Sequence, residues 1–518
     1  MATNNCPFDI TPYTQSQVIT TPNIFNLNYT NQDFWSMKTR LLQFVQQKFS
    51  TDFSDFVESS LALMLIENWS FLADTLSFKM DQIANEIFID TVTQLDNAFR
   101  LAKLVGFKPQ PPIASSSLWT ATLNNVLNTD VTIASPFVVN TNSGSKNITI
   151  ELFPADANNN PIFNQDIVIP AGNVANTSIV GLEGKTRTTT ISGTGQVNQT
   201  ISLTQNPVIF NSIQVTVDGV MWQEVDYFTD SQPRREFIVE FDASWNAYVM
   251  FGNNQAGLIP SQGSLITVSY RQGGGADGNI ISGSVLQQTV ISVPGITYAV
   301  PVSIRNYTPG QFGYDGDTIN DIRNNLPAWV RAQNRIVTGL DCKTLTDQFA
   351  TAYQGQIGKS TAVLRNYGCA GNIIDLYVLA LNAPNNLQQA SNELKNELGT
   401  YIDSLKMLTD YICIRDGQVI LVDVNLDVVL NRLYRKMEDE LRIKIQRRLD
   451  VFFALNNWDY AQTLRDSDVV KSLSDLSEIN SYEITFTTND PDNSGQTVTT
   501  SYYEIIRPDT VDITFTYE

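Results

Sequence analysis

The chain is 518 residues long, 42% hydrophobic and 17% charged, with a formal net charge of -20 and no histidine. That balance describes several folded domains rather than a disordered chain, and the negative charge disfavours direct nucleic-acid binding, which needs clustered Lys and Arg on phosphates. Without histidine, Ser-His-Asp and Cys-His triads, histidine metal ligands and the commonest general base are all excluded.

No catalytic, cofactor-binding or metal-binding residue is therefore expected, and the protein is read as no enzyme. Composition leaves room only for a carboxylate-based glycan hydrolase, and no pair among the 53 acids stands out. Cys6, Cys342, Cys369 and Cys413 are scattered without a C-x-x-C, which suggests neither a disulfide framework nor a zinc site. No run of about 18 apolar residues occurs. The opening MATNNCPFDITPY lacks the basic and apolar regions of a leader, so the expectation is a chain made in the cytoplasm and not inserted in a membrane.

Residues 1–30 are polar and broken by Pro7, Pro12 and Pro22, which reads as an extended arm. Residues 31–112 carry three helical patterns. Phe34, Met37, Leu41, Leu42, Val45 and Phe49 set the first. Ser59 or Ser60 can cap the second, in which Leu61, Leu65, Trp69, Leu72, Leu76, Met80 and Ile83 recur at steps of four, four, three, four, four and three. Such a seam wants helical partners, within the chain or outside it. The third runs from about Gln94 and stops at Gly106, ahead of Pro109, Pro111 and Pro112.

Residues 113–305 change to β texture, with Thr, Val and Ile alternating with polar residues. Asp218-Gly219 predicts a hairpin turn after Val217. The stretch from about 125 to 205, poorer in aromatics, reads as a separate β insertion. Gly181-Leu-Glu-Gly184-Lys185-Thr186 ends like a phosphate-binding loop, but Ile179 stands where that loop needs its first glycine. Gly273-Gly274-Gly275 reads as a tight connection rather than an anion nest.

Residues 306–417 predict helices at about 318–333 and 339–353, the latter opened by a capping box of Thr338 and Asp341. Strands at 361–365 and 372–379, a helix at 386–405 and a strand at 410–414 complete an α+β unit of ferredoxin-like type. Residues 418–518 repeat the theme, with a strand at 419–429, a helix at about 433–453, and strands near 482–487, 502–506 and 511–517. That helix sets Arg435, Lys436, Arg442 and Arg447 on a basic face opposite a stripe of Leu433, Met437, Leu441, Ile445, Leu449 and Phe452. A basic face in an acidic protein suits an acidic partner; the plain alternative is local pairing with Glu438, Asp439 and Glu440. The fold class is thus multidomain α+β: an N-terminal helical bundle segment, a central β-rich domain and two C-terminal α+β domains.

Several phrases together resemble the J-like baseplate wedge proteins of contractile-tailed phages and related injection systems. They are Leu72-Ala-Asp74, Asp81-Gln-Ile83-Ala84-Asn85-Glu86 and Arg100-Leu-Ala-Lys-Leu-Val-Gly106; then Val217-Asp-Gly219 with Trp222, Phe251-Gly252 with Gly257 and Pro260, and Tyr270-Arg271 running into Gly273-Gly-Gly275; then Arg331-Ala-Gln-Asn-Arg335-Ile-Val337-Thr338 before Asp341. Tyr401 and the run Leu408 to Ile414 also fall where that family closes its α+β sandwich. The resemblance covers about 30–110, 210–285 and 320–455. The chain departs from it at Asn253-Asn254, where the family often has Asp-Gly, and at Thr338-Gly-Leu-Asp341, where it often has Thr-Ala-Glu-Asp.

The resemblance implies a virion structural protein in the tail baseplate. Its partners would be other wedge subunits and a second copy of itself, the tail hub, sheath-initiating proteins and tail fibres. N-terminal helices would bundle with other wedge subunits, C-terminal domains would join a ring around the hub, and ring rearrangement would trigger sheath contraction. On that basis the Leu61 to Ile83 seam is the candidate bundle contact and the helix carrying Arg435, Lys436, Arg442 and Arg447 belongs to the ring-forming domain. A binding module or adhesin, docking fibres or a receptor through the β insertion, is the alternative.

Overall fold

A computed structural model describes residues 33–48, 61–143, 146–228, 233–294, 296–351, 355–366, 372–383, 386–430, 432–474, 476 and 479–517. The expected arm over 1–30, the caps Ser59 and Ser60, and Cys6 and Cys369 lie outside the described residues. The chain divides into two compact units: one takes the described residues up to Pro109 with Thr318–Pro327, the other Gln110–Asp317 and the described residues from Ala328 onward.

The first unit is helical, with α1 (Phe34–Lys48), α2 (Leu61–Asn85) and α3 (Leu95–Leu104). Lys38 Nζ reaches Glu67 Oε1 at 2.6 Å and pins α1 to α2. Gln94, the N-cap of α3, makes no side-chain cap bond. Glu86, just past α2, instead braces the chain entering α3: its carboxylate accepts from Thr93 N at 3.0 Å, Gln94 N at 3.3 Å and Asn97 Nδ2 at 3.0 Å. Burial pushes its pKa up, but hydrogen bonds led by Thr93 and Asn97 outweigh that and hold it below the usual glutamate value. A carboxylate at a helix N-terminus also meets the positive end of the helix dipole.

The second unit begins with β1 (Ser116–Leu123), β2 (Val131–Ile133), β3 (Phe137–Ser143), β4 (Lys146–Pro154), β5 (Ile167–Ile169), β6 (Ala175–Glu183), β7 (Lys185–Ser192) and β8 (Thr200–Leu203). It continues with β9 (Gln214–Val217), β10 (Val220–Glu224), β11 (Glu236–Phe241), β12 (Ala247–Phe251), β13 (Leu265–Gln272), β14 (Leu286–Ile291) and β15 (Val300–Asn306). Six strands form one sheet in the order β14-β15-β1-β6-β4-β3, and seven form a second in the order β7-β13-β9-β10-β11-β12-β8. Alternation decides what each buries. Trp119 and Ala121 of β1 enter the first core with Ile150, Leu152 and Ile179; Val215, Phe237, Val249, Phe251 and Val268 fill the second. Asp218 and Gly219 both take positive φ, 50° and 79°, and close the predicted hairpin of β9 and β10.

Within the described residues of 125–205, only the short β2-β5 pair forms a sheet of its own. β3, β4 and β6 extend the sheet of β1, while β7 and β8 belong to the second sheet. The physical reason is that Ile148, Ile150, Leu152 and Ile179 share one core with Trp119, so this stretch has no separate interior.

The C-terminal part follows with α4 (Ile319–Ala332), α5 (Gly339–Asp347), β16 (Gln356–Asn366), β17 (Asn372–Ala383), β18 (Asn386–Gln388), α6 (Asn392–Leu405) and β19 (Asp410–Asp416). The capping box of Thr338 and Asp341 opens α5 as the sequence predicts. The helix expected from 386 starts only at Asn392: Leu387 is buried on the short β18, and Ser391 Oγ accepts from Leu394 N at 3.1 Å as the actual N-cap. Next come β20 (Gln418–Leu430), a 3-10 turn over Arg432–Met437, α7 (Glu438–Phe452), β21 (Leu464–Arg465), α8 (Asp466–Leu473), β22 (Ile479–Thr488), β23 (Thr497–Val498) and β24 (Glu504–Tyr517). The two C-terminal parts, divided at Gly417, are each α+β, but their strand orders are not those of a ferredoxin-like βαββαβ sheet. β17 is flanked by antiparallel β16 and parallel β19, and β20 by antiparallel β22 and parallel β24.

Candidate assembly surfaces

α2 inverts the usual burial of an amphipathic helix. Its buried positions include Leu63, Ser70 and Ser77. The seven residues of the seam all face outward: Leu61, Leu65, Trp69, Leu72, Leu76, Met80 and Ile83 are between 46% and 68% exposed. Met64, Phe71 and Phe78, seven residues apart, are exposed as well, on a different face of the helix from the seam. A helix buries its apolar stripe when the chain supplies a partner, and a continuous exposed stripe of this size marks an interaction surface. No described helix is long and apolar enough to cross a membrane.

The basic face of the C-terminal helix is divided between two uses. Leu441, Ile445 and Leu449 of α7 are buried as the stripe predicts. Arg442 turns back onto β24: Nη1 donates to Ile513 O at 2.8 Å, and its guanidinium lies 5.0 Å from the Phe515 ring centre. Arg435 sits 5.4 Å from the Tyr517 ring centre, and the Tyr517 hydroxyl donates to Glu438. Lys444 pairs with Glu440 at 3.0 Å. Arg447 is exposed. Lys436 is on the 3-10 turn, and its side chain lies outside those described. Two of the four singled-out basic residues thus clasp the last strand, a role the sequence did not disclose because β24 lies about 70 residues downstream of them.

The phrases that superficially suggested phosphate binding serve the β-domain interior. Thr186 commits both its groups to Glu151: its N–H donates to Oε1 at 2.8 Å and its hydroxyl to Oε2 at 2.6 Å. Gly273, Gly274 and Gly275 all take positive φ, 137°, 93° and 131°, a conformation reserved to glycine, and Gly274 N donates to Glu183 Oε2 at 2.5 Å. Burial, reinforced by the charges of Asp277 and Asp315, pushes Glu183 up to about 7 against the pull of Gly274 N–H and Arg271. Among the described residues no cluster of His, Cys, Asp and Glu is placed to hold a metal ion. Cys342 is buried, which pushes its thiol up to about 12 and leaves it unreactive at neutral pH.

Residues 33–104, the span of the three N-terminal helices, match the family described as bacteriophage baseplate protein, N-terminal domain. The resemblance to baseplate proteins read from the sequence is borne out there. No curated protein matches the chain. Among solved structures, a chain of the cryo-EM structure of the anti-feeding prophage (AFP) baseplate, 6-fold symmetrised, aligns over 94% of this chain and 96% of that chain at 11% identity. Its TM-score, 0.34, is too low to define the fold.

Proposed function

We propose that this baseplate protein is a structural, non-enzymatic subunit of the baseplate wedge, joined to other wedge subunits through the exposed face of α2. The observation that carries the reading is the uncovered seam from Leu61 to Ile83, which lies inside the matched N-terminal domain. Burying a large apolar side chain completely is worth about 1.5–3 kcal/mol. Roughly half of that remains available at each seam position, so seven of them offset much of the ~4–15 kcal/mol that association costs. The four-four-three spacing repeats after 11 residues, the period of straight to slightly right-handed helix packing. The partner that fits is an apolar helix laid along α2, supplied by another wedge subunit or a second copy of this chain.

In this reading the C-terminal α+β domains join into a ring around the hub, with sheath-initiating proteins as neighbours, and fibre movement biases that ring between closed and open packings. Such a switch requires two interface arrangements separated by only a few kcal/mol. The test is replacement of Leu65, Trp69 and Leu72 by serine, serine and glutamine. These side chains are exposed, so circular dichroism is expected to be unchanged while co-elution with neighbouring wedge proteins is lost. Undiminished co-elution of the folded triple variant would sink the α2 contact.

A further inference from the structure

We infer that the segment Leu455 to Gln462 is a strap that locks the last two α+β units into one rigid arm, so that displacement of either carries the other. The inference concerns the chain alone and does not depend on the wedge reading.

The strap leaves α7 and crosses to the preceding unit at two kinds of contact. The first is apolar. Leu455 and Tyr460 of the strap, with Ile505 of β24, form a cluster with Leu379 of β17 and Leu387 of β18, and none of these is part of either unit's main core. Tyr460 is 7% exposed, and its hydroxyl lies so close to Gly417 that a Cβ there would stand 2.3 Å from it. Gly417 is the single residue between β19 and β20, and its N–H donates to Val378 O at 3.0 Å. The residue joining the two units is therefore the one that leaves room for the strap.

The second contact is ionic. Lys343 of α5 pairs with Asp459 of the strap and lies 4.0 Å from Asp347. Asp347 in turn accepts from Ser360 Oγ of β16 at 2.6 Å. Asp459 is held in place by its own segment, with Tyr460 N donating to its carboxylate at 2.9 Å and its N–H donating to Gln462 Oε1 at 2.9 Å. On the far side, Arg507 of β24 donates to Phe453 O at 2.8 Å, and Thr500 Oγ1 to Gln462 O at 2.8 Å. Both ends of the strap are anchored in the last unit, and its middle grips the unit before it. Beyond the one-residue covalent joint, the rings of Tyr377 on β17 and Tyr502 and Tyr503 also meet, at 5.7 and 5.9 Å between centres, and the strap adds the apolar and ionic grip to that contact. Lys343 is 22% and Asp459 38% exposed, so the pair adds a partly screened attraction to the apolar contact.

The experiment is native-state hydrogen exchange of the full chain in increasing denaturant, read at amides of α6 in one unit and α7 in the other. Wild type is expected to show one shared midpoint for both helices. Gly417→Val, which displaces Tyr460, and the double variant Lys343→Met with Asp459→Asn, which removes one charge of each sign and leaves Asp347 with Lys359, are each expected to split it in two. Separate midpoints in wild type would overturn the inference, as would a shared midpoint retained by both variants. Should either variant fail to fold, the wild-type measurement and the other variant still decide.

Discussion

Arg271 Nη1 on β13 lies 2.6 Å from Glu151 Oε2 on β4, with both side chains no more than 4% exposed, and the pair ties the two sheets of the β-domain together. The other guanidinium arm donates to the carbonyls of Leu182, Glu183 and Gly184 at 3.0–3.3 Å. Desolvation of the ions is offset by partners on both terminal guanidinium nitrogens and on both Glu151 oxygens, while Arg271 Nε is buried without one among the described residues. Arg271→Met is expected to cost about 3–5 kcal/mol, because it strands the Glu151 carboxylate. Adding Glu151→Leu to it should restore part of the loss, as read from denaturant midpoints followed by tryptophan fluorescence; a double variant as unstable as the sum of the singles would contradict this.

Gly181 admits the Trp119 indole. A Cβ at 181 would stand 2.2 Å from Trp119 Nε1 and 2.8 Å from Leu152 Cδ2, inside the first core. The indole N–H meanwhile donates to Ser117 Oγ at 2.9 Å. Gly181→Ala is expected to lower stability by about 1–3 kcal/mol through overpacking and to shift Trp119 emission. A neutral effect on the thermal midpoint would show that this strand pair can open to accommodate a methyl group.

Glu183 makes stability depend on pH with a definite sign. Its carboxyl is raised from 4.5 to about 7 in the folded chain. Between those values the folded state holds the proton and the unfolded state has released it. Stability therefore falls as pH rises from about 4.5 to about 7. Glu183→Gln keeps an acceptor for Gly274 N–H and removes the ionisation. It should raise stability at pH 8 by on the order of 1–3 kcal/mol and leave it unchanged near pH 4.5. Thermal melts of both proteins across that range check the sign, and parallel curves would refute it.

Arg442 and Arg447 separate folding from docking on one helix. Arg442→Ala removes a charged donor to Ile513 O and a ring contact with Phe515. The expected cost is about 1–3 kcal/mol, felt first by β24 in hydrogen exchange. Arg447→Ala should stay within about 0.5 kcal/mol of the parent. A defect in assembly confined to Arg447→Ala would then report a partner, whereas a loss of stability there would reveal an internal contact.

Much of this architecture was legible because local chemistry and tertiary packing agree. The capping box at Thr338, the Asp218-Gly219 hairpin and the alternation of β20 each specify their own structure. The seam on α2 was legible as a stripe, but periodicity cannot tell a stripe buried in its own chain from one awaiting another; only the exposure of Trp69 and Leu76 separates them. The reading of residues 125–205 as a β insertion rests on aromatic content, which reports composition, whereas the register of Ser117 opposite Gly181 is a long-range fact. α8 was overlooked, since eight residues with an acidic first turn give too short a period to read. The Arg435 and Arg442 clasp was hidden for the same reason as the sheet register: its partners are remote in sequence.

The most direct test of the central claim is the native mass of the purified chain, alone and mixed with each protein encoded beside it. The account predicts a discrete hetero-oligomer that disappears when Leu65, Trp69 and Leu72 are made polar. A chain that stays monomeric with every neighbour while its α2 face remains exposed would contradict it.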